Sequence, residues 1–142
     1  MRDKHVKVGV GVIIQNEDAR ILLIQRLNNG GIWSIPGGHL DQGETFEEAA
    51  IRECKEELNI TVKNPKVVGV RNNIDWYKKS GTHAVSIILL VNEWEGEPKS
   101  QEAEKIGEVV WTDPNNLPEP HFDGSKEGVK QFLNDKFYEP NR

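Results

Sequence analysis

The sequence predicts an α+β fold built in layers. Two observations carry this: runs of β-branched and aliphatic residues recur along most of the chain, and they group around one central and one C-terminal helical stretch. A third is that no linker, internal repeat or low-complexity segment divides the 142 residues, so they read as a single domain, 1–142. A chain of that length buries about two-thirds of its unfolded surface.

Val6 to Ile14 (VKVGVGVII) alternates β-branched with small residues and reads as a first strand. Asn16 to Ala19 turns the chain, and Ile21 to Arg26 (ILLIQR) returns as a second, buried strand. Asn28-Asn29-Gly30-Gly31 signals a loop before a short Trp33-Ser34-Ile35 segment, and Pro36-Gly37-Gly38 is expected to break regular structure. Beyond the central helix, Val67 to Arg71, Ala84 to Val91 and Val109 to Thr112 are strand candidates. Pro114 to Pro120 reads as a loop, and Glu127 to Leu133 as the heart of the C-terminal helix.

The central helix is the best-marked element. Thr45 followed by Glu48 is a capping-box signature, which starts a helix near Phe46. It runs to about Leu58, with Asn59 adopting the left-handed cap beyond its end. Ala50, Cys54 and Leu58 recur every fourth residue with Ile51 close by, forming an apolar stripe. Glu53, Glu56 and Glu57 share one face beside that stripe, where like charges destabilise a bare helix by ~0.2–0.5 kcal/mol per pair. A cation among them would offset the repulsion; a plain solvated acidic face is the alternative. Carboxylates suit hard divalent ions, and Mg²⁺ takes one or two of them while keeping waters and substrate phosphates.

From Gly38 to Ile60 the chain reads GHLDQGETFEEAAIRECKEELNI. This resembles the Nudix box, G-x5-E-x7-R-E-U-x-E-E-x-G-U with U apolar, at Gly38, Glu44, Arg52, Glu53, Glu56, Glu57 and Ile60. Cys54 occupies an apolar position as a small hydrophobe. Asn59 stands in for the late glycine, being the usual second choice for a left-handed cap. The resemblance implies an α/β/α sandwich with a mixed central sheet. It also implies a hydrolase whose metal ligands are Glu53, Glu57 and Glu56, with Mg²⁺ as cofactor and Mn²⁺ able to substitute. By the same likeness the Gly37 carbonyl is a further ligand, Glu44 belongs to the catalytic set, and Arg52 orients Glu53 rather than touching substrate.

Outside the box, Leu22 to Arg26 and Trp33 to Gly38 look like the MutT-type branch of that family. In that branch the arginine matching Arg26 reaches a substrate phosphate, although a solvated strand-end arginine is an equal reading. Glu104 resembles the acid that members bring from a late loop, with Glu102 and Glu108 as competitors. Gly38 belongs to the approach to phosphate. Trp33 and Phe122 are candidates to hold a base, although a tryptophan near a glycine turn is more often a core lid.

Composition narrows the class. Net charge is −5 and no Lys/Arg cluster stands out, so a nucleic-acid partner is not expected. The longest apolar run is far too short to cross a bilayer, and Met1 to Val6 holds no signal core, so the expected setting is cytoplasmic. The lone cysteine excludes an internal disulfide framework, and its place on the helix stripe reads as a buried thiol. The four histidines show no metal-ligand spacing. Neither a G-x-S-x-G elbow nor a P-loop is present.

The expected reaction is cleavage of a nucleoside triphosphate, a modified one included, to nucleoside monophosphate and pyrophosphate. One carboxylate of the box set or Glu104 serves as general base. Alternatives are dinucleoside polyphosphates, ADP-ribose or nucleoside diphosphate sugars. Asp75 and Trp76 stand where ADP-ribose-cleaving members often carry proline, whereas Tyr77 lies near a tyrosine of the dinucleoside-polyphosphate members. A catalytically silent nucleotide-binding module is the reading from another class, countered by retention of all four box glutamates. Related members are often homodimers.

Overall fold

In the computed structural model the strand β1 (Lys7–Ile14) divides the molecule by its alternation of residues. Successive side chains of a strand point to opposite faces. Val10, Val12 and Ile14 therefore enter one core cluster, while Gly9, Gly11 and Ile13 face the other way. The structure describes residues 5–140; Met1 to Lys4, which open the stretch read for a signal core, and the last two residues of the 1–142 domain lie outside the described residues.

The remaining strands are β2 (Ile21–Arg26), β3 (Ile32–Ser34), β4 (Gly37–His39), β5 (Thr61–Lys63), β6 (Lys66–Arg71), β7 (Ala84–Val91), β8 (Glu93–Glu95) and β9 (Ile106–Thr112). A mixed sheet runs β4-β1-β7-β6, with β1 and β7 parallel and the outer pairs antiparallel. A second sheet runs β3-β2-β9, and β5 pairs with β8. Helix α1 (Phe46–Leu58) packs its Ala49, Ala50, Cys54 and Leu58 on the valine face of β1. Helix α3 (Asp123–Leu133) places Val129 against Ile13, Ile35 and Ile88 on the opposite face. This is the expected α+β sandwich: helices flank a mixed sheet.

Both ends of α1 fall where the sequence puts them. Thr45 and Glu48 form the reciprocal capping box, and Asn59 adopts φ 55°, ψ 38° while its N–H donates to the Lys55 carbonyl. The stripe is shifted, however. Ile51 is 38% exposed, and Glu57 takes a buried place at 4% exposed. A charge buried to that degree needs partners.

Three expectations change. Pro36-Gly37-Gly38 does not break the sheet; Gly37 and Gly38 pair with β1, opposite Gly11 and Val10. A Cβ on Gly37 would fall 2.0 Å from the Val10 carbonyl oxygen, at φ +149°, so only glycine lets the backbones meet this closely. Helix α2 (Ile74–Ser80) was not anticipated, because it buries no residue and so has no apolar period. It is delimited by left-handed Asn73 and Gly81 instead. Likewise β5 and β8 span three residues each, too few for alternation to show.

Candidate active site

Two arginines organise the acidic face of α1, each in its own way. Arg52, on the helix, grips Glu44 with both arms: Nε donates to Oε2 at 2.7 Å and Nη2 to Oε1 at 3.0 Å. Its Nη1 donates to Glu53 Oε1 at 2.9 Å and, more distantly, to Glu56 Oε2 at 3.4 Å. Nη2 also reaches the His39 carbonyl at 3.0 Å, tying the helix to β4. The Arg52 hydrogen bond and the Asp41 N–H hold Glu44 below the usual carboxylate range, so Glu44 stays ionised and steadies Arg52.

Arg26 comes from the end of β2 and is no solvated strand-end residue. Its Nη1 donates to Glu57 Oε2, its Nη2 to the Gly37 carbonyl and its Nε to Ser34 Oγ, each at 3.0 Å. The Gly37 N–H closes the ring by donating to Glu57 Oε1 at 2.9 Å. Both oxygens of the buried carboxylate are thus fixed, and the sharp approach of β4 to β1 is what presents the Gly37 peptide to it.

Beside this ring, Glu53 lies directly on Gly38. A Cβ there would sit 2.5 Å from Glu53 Oε1, so the glycine makes room for a carboxylate. Burial pushes both Glu53 and Glu57 upward, against the pull of Arg52 on the first and Arg26 on the second. The charge of Glu53 raises Glu57 further. Glu56 stays exposed at the helix edge.

This donor set fits a divalent ion. Two desolvated, mutually repelling carboxylates beside a backbone carbonyl in a space kept open by glycine are stabilised by a cation more than by further burial. Among the described residues no three His, Cys, Asp or Glu side chains form a ready-made cage. Mg²⁺ does not require one, since it retains waters and takes substrate oxygens.

A cavity of about 360 Å³ opens on the glycine face of β1, next to Gly37 and Gly38. That volume lies within the range of small-ligand sites. Arg26, Gly38 and Phe122 line it. Trp33 does not, for a reason of register: its neighbours Ile32 and Ser34 face the cavity, and Trp33 points to the other side of β3, against the α3-side core. Tyr77 packs its ring against His83, 5.4 Å between centroids.

The late loop is fastened to the end of α1, with the N–H groups of Lys99 and Gln101 donating to the Leu58 and Glu57 carbonyls. Glu104 lies exposed on a turn there, making no contact among those described with the α1 glutamates. Glu102, one residue beyond the anchor, pairs with Lys105 at 3.6 Å. Cys54 is fully buried, and desolvation pushes its thiol far above the normal range, as expected for a packing residue.

Several cavity residues escaped the sequence reading. Asn73, Trp76 and Ser86 form the end away from the glutamates, and Trp76 meets Phe122 edge to face with centroids 5.1 Å apart. They come from α2, its cap and β7, and no local pattern joins them. The alternation of Gly9 and Gly11 with valine was the one available signal, since it marks a strand face without side chains of its own at those two positions.

The comparisons with known proteins agree on the family. The NUDIX domain model matches residues 5–132. The chain is similar to an ADP-ribose pyrophosphatase of Methanocaldococcus jannaschii, 39% identical over 124 residues, covering 86% of this chain and 70% of that protein. It is also similar to an 8-oxo-dGTP diphosphatase of Haemophilus influenzae, 35% identical over 126 residues, covering 86% of each. Among solved structures, a MutT NUDIX hydrolase from Burkholderia pseudomallei superposes with a TM-score of 0.81 at 32% identity. That match covers 90% of this chain and 98% of the other.

Proposed function

This chain belongs to the Nudix family and is a hydrolase of phosphoric anhydride bonds, and we propose that its substrate is a nucleoside triphosphate, cleaved to nucleoside monophosphate and pyrophosphate. The observation that carries this reading is the pairing of two arginine-held carboxylates, half-buried Glu53 and buried Glu57, with a nucleotide-sized cavity that begins at the same two glycines.

Members of the family generally need a divalent metal; here Mg²⁺, with Mn²⁺ able to substitute, would lower the pKa of a water and neutralise charge on the departing phosphate. Glu53, Glu57 and the Gly37 carbonyl would hold it, with Glu56 sharing the site from the helix edge. Arg26 and Arg52 keep these carboxylates in place, so the site is ordered before substrate arrives. Arg26 also lines the cavity, where its positive charge suits a phosphate passing Gly37 and Gly38. The general base is a carboxylate of this set or Glu104 of the late loop, with Glu102, next to the Gln101 anchor, as its competitor.

A second reading has a specific observation in its favour. ADP-ribose is also a nucleoside diphosphate linked to another group, and the relative that is 39% identical is named for it. The test is a panel of nucleoside triphosphates, ADP-ribose, dinucleoside polyphosphates and diphosphate sugars with Mg²⁺ or Mn²⁺, each reaction resolved into its products. Monophosphate plus pyrophosphate from one triphosphate class supports the proposal. Preferential release of AMP and ribose 5-phosphate replaces it with the second reading. Silence across the panel, with nucleotide still bound by calorimetry, returns the reading to a non-catalytic module.

A further inference from the structure

We propose that Asn73 and Ser86 together read the hydrogen-bonding edge of the substrate's nucleobase at the end of the cavity away from the glutamates, an inference that rests on the nucleotide-hydrolase reading above. The sheet register puts the relevant residues in one row. His39 on β4, Gly9 on β1, Ser86 on β7 and Arg71 on β6 are successive partners across the sheet. The row starts beside the acidic helix face, where Arg52 holds the His39 carbonyl, and crosses a glycine floor to Ser86. A Cβ built on Gly9 meets nothing closer than 3.8 Å, so the floor is open where a flat group could lie.

The orientation of the Asn73 amide follows from its partners. One of them is the Ala84 carbonyl at 3.0 Å, which can only accept, so the contacting atom is Nδ2. The same nitrogen donates to Ser86 Oγ at 2.7 Å. Both amide hydrogens are thereby used, and the side chain offers a ligand only its Oδ1 acceptor. Ser86 accepts from Asn73 and keeps its own O–H to donate. Both residues line the cavity, Asn73 with its acceptor still open and Ser86 with its donor.

That pair is complementary to a ligand edge presenting a donor next to an acceptor, as the amide-like and amidine-like edges of nucleobases do. The edge-to-face corner of Trp76 and Phe122 supplies an aromatic surface against which such a ring packs. Asn73 is 7% exposed and held at φ 58° as the cap of α2, so the reading group is preset rather than recruited.

The test compares natural purine nucleotides with purine riboside nucleotides, whose base lacks the exocyclic groups, and with ribose 5-triphosphate, which has no base. Wild-type protein is expected to disfavour purine riboside triphosphate by about tenfold in kcat/KM, through KM rather than kcat. Ser86→Ala, which leaves Asn73 bonded to Ala84, removes most of that discrimination and leaves ribose 5-triphosphate unchanged. Asn73→Gly keeps the left-handed backbone and is expected to do the same. Equal losses on all three substrates, or an unchanged preference, overturn the proposal in favour of a structural role. Fluorescence quenching by the nucleoside monophosphates, with Trp76→Phe as control, is a readout independent of turnover. Absence of hydrolysis with a Trp76-dependent, Ser86-sensitive titration rejects the hydrolase reading alone. Hydrolysis without base discrimination rejects this inference alone.

Discussion

The two ends of the cavity are built on opposite principles. At one end, carboxylates withdrawn from solvent to differing degrees, Glu57 most of all, are held by charge: Arg26 on Glu57, Arg52 on Glu53 and Glu44. At the other, Asn73, Ser86, Trp76 and Phe122 present neutral polar atoms and aromatic rings. A reacting phosphate chain needs concentrated charge in fixed positions, where preorganised groups are worth most. Selecting the attached group needs shape and a few directed hydrogen bonds. Substitutions at the first end should therefore act on kcat, and those at the second on KM and preference.

The largest expected effect is at Glu57. Glu57→Gln removes one charge but keeps the side-chain shape, and kcat is expected to fall about 10²–10⁴-fold. The melting temperature should fall somewhat, because the amide NH2 replaces one acceptor oxygen and meets either the Gly37 N–H or the Arg26 guanidinium. Near-normal turnover in a folded variant would remove Glu57 from the machinery. Next comes Arg52→Lys. An ammonium cannot reproduce the fork that holds Glu44 twice and Glu53 once. Loss of such an orienting partner costs about 10–100-fold. A fall confined to KM would instead mean that Arg52 contacts substrate.

The same contrast explains what could be read from the sequence. The charged end is carried largely by α1, where 3.6-residue periodicity, a capping box and closely spaced glutamates are all local. Even there, the Arg26–Gly37–Glu57 ring was not legible, because it joins residues 31 apart through the close approach of β4 to β1. The neutral end is assembled from β1, β7, the cap of α2 and the start of α3, and only the sheet register brings these together. Trp33 shows the limit in miniature: its chemistry suited a base, but strand parity turned it into the core. Helix α2 escaped because an exposed seven-residue helix has no buried face to announce it.

A smaller effect is expected from filling the neutral end. Gly9→Val adds a side chain in open space, and a strand favours valine over glycine, by about 0.5–1 kcal/mol on the scale of a glycine penalty. The variant should be at least as stable as the parent while its KM for nucleotides rises about tenfold, since the methyl groups occupy the ligand's floor. A more stable protein with unchanged KM would show that substrate does not use the glycine face.

The smallest effect concerns how the neutral wall is held. His121 is 6% exposed, with Nδ1 3.2 Å from the Pro118 carbonyl and Nε2 2.8 Å from Ser125 Oγ. The carbonyl can only accept, so Nδ1 carries the hydrogen and Nε2 accepts from Ser125. Ser125 in turn accepts from the Ile35 N–H at 2.9 Å, fixing the turn between β3 and β4. Protonating His121 would set an N–H against the hydroxyl hydrogen. Burial holds its pKa below the ordinary 6.5; the Pro118 bond and Glu119 oppose this, and Lys126 adds to it. Below about pH 6.5 the unfolded chain therefore takes up a proton that the folded protein resists, and stability declines as pH falls toward the lower folded value. His121→Gln, which retains an acceptor for Ser125, should flatten that decline. Between pH 7 and 5 the wild-type melting temperature is expected to drop about 2–4 °C more than that of the variant. Parallel curves would mean that the Ile35–Ser125–His121 chain survives protonation, and that the neutral wall is insensitive to acid.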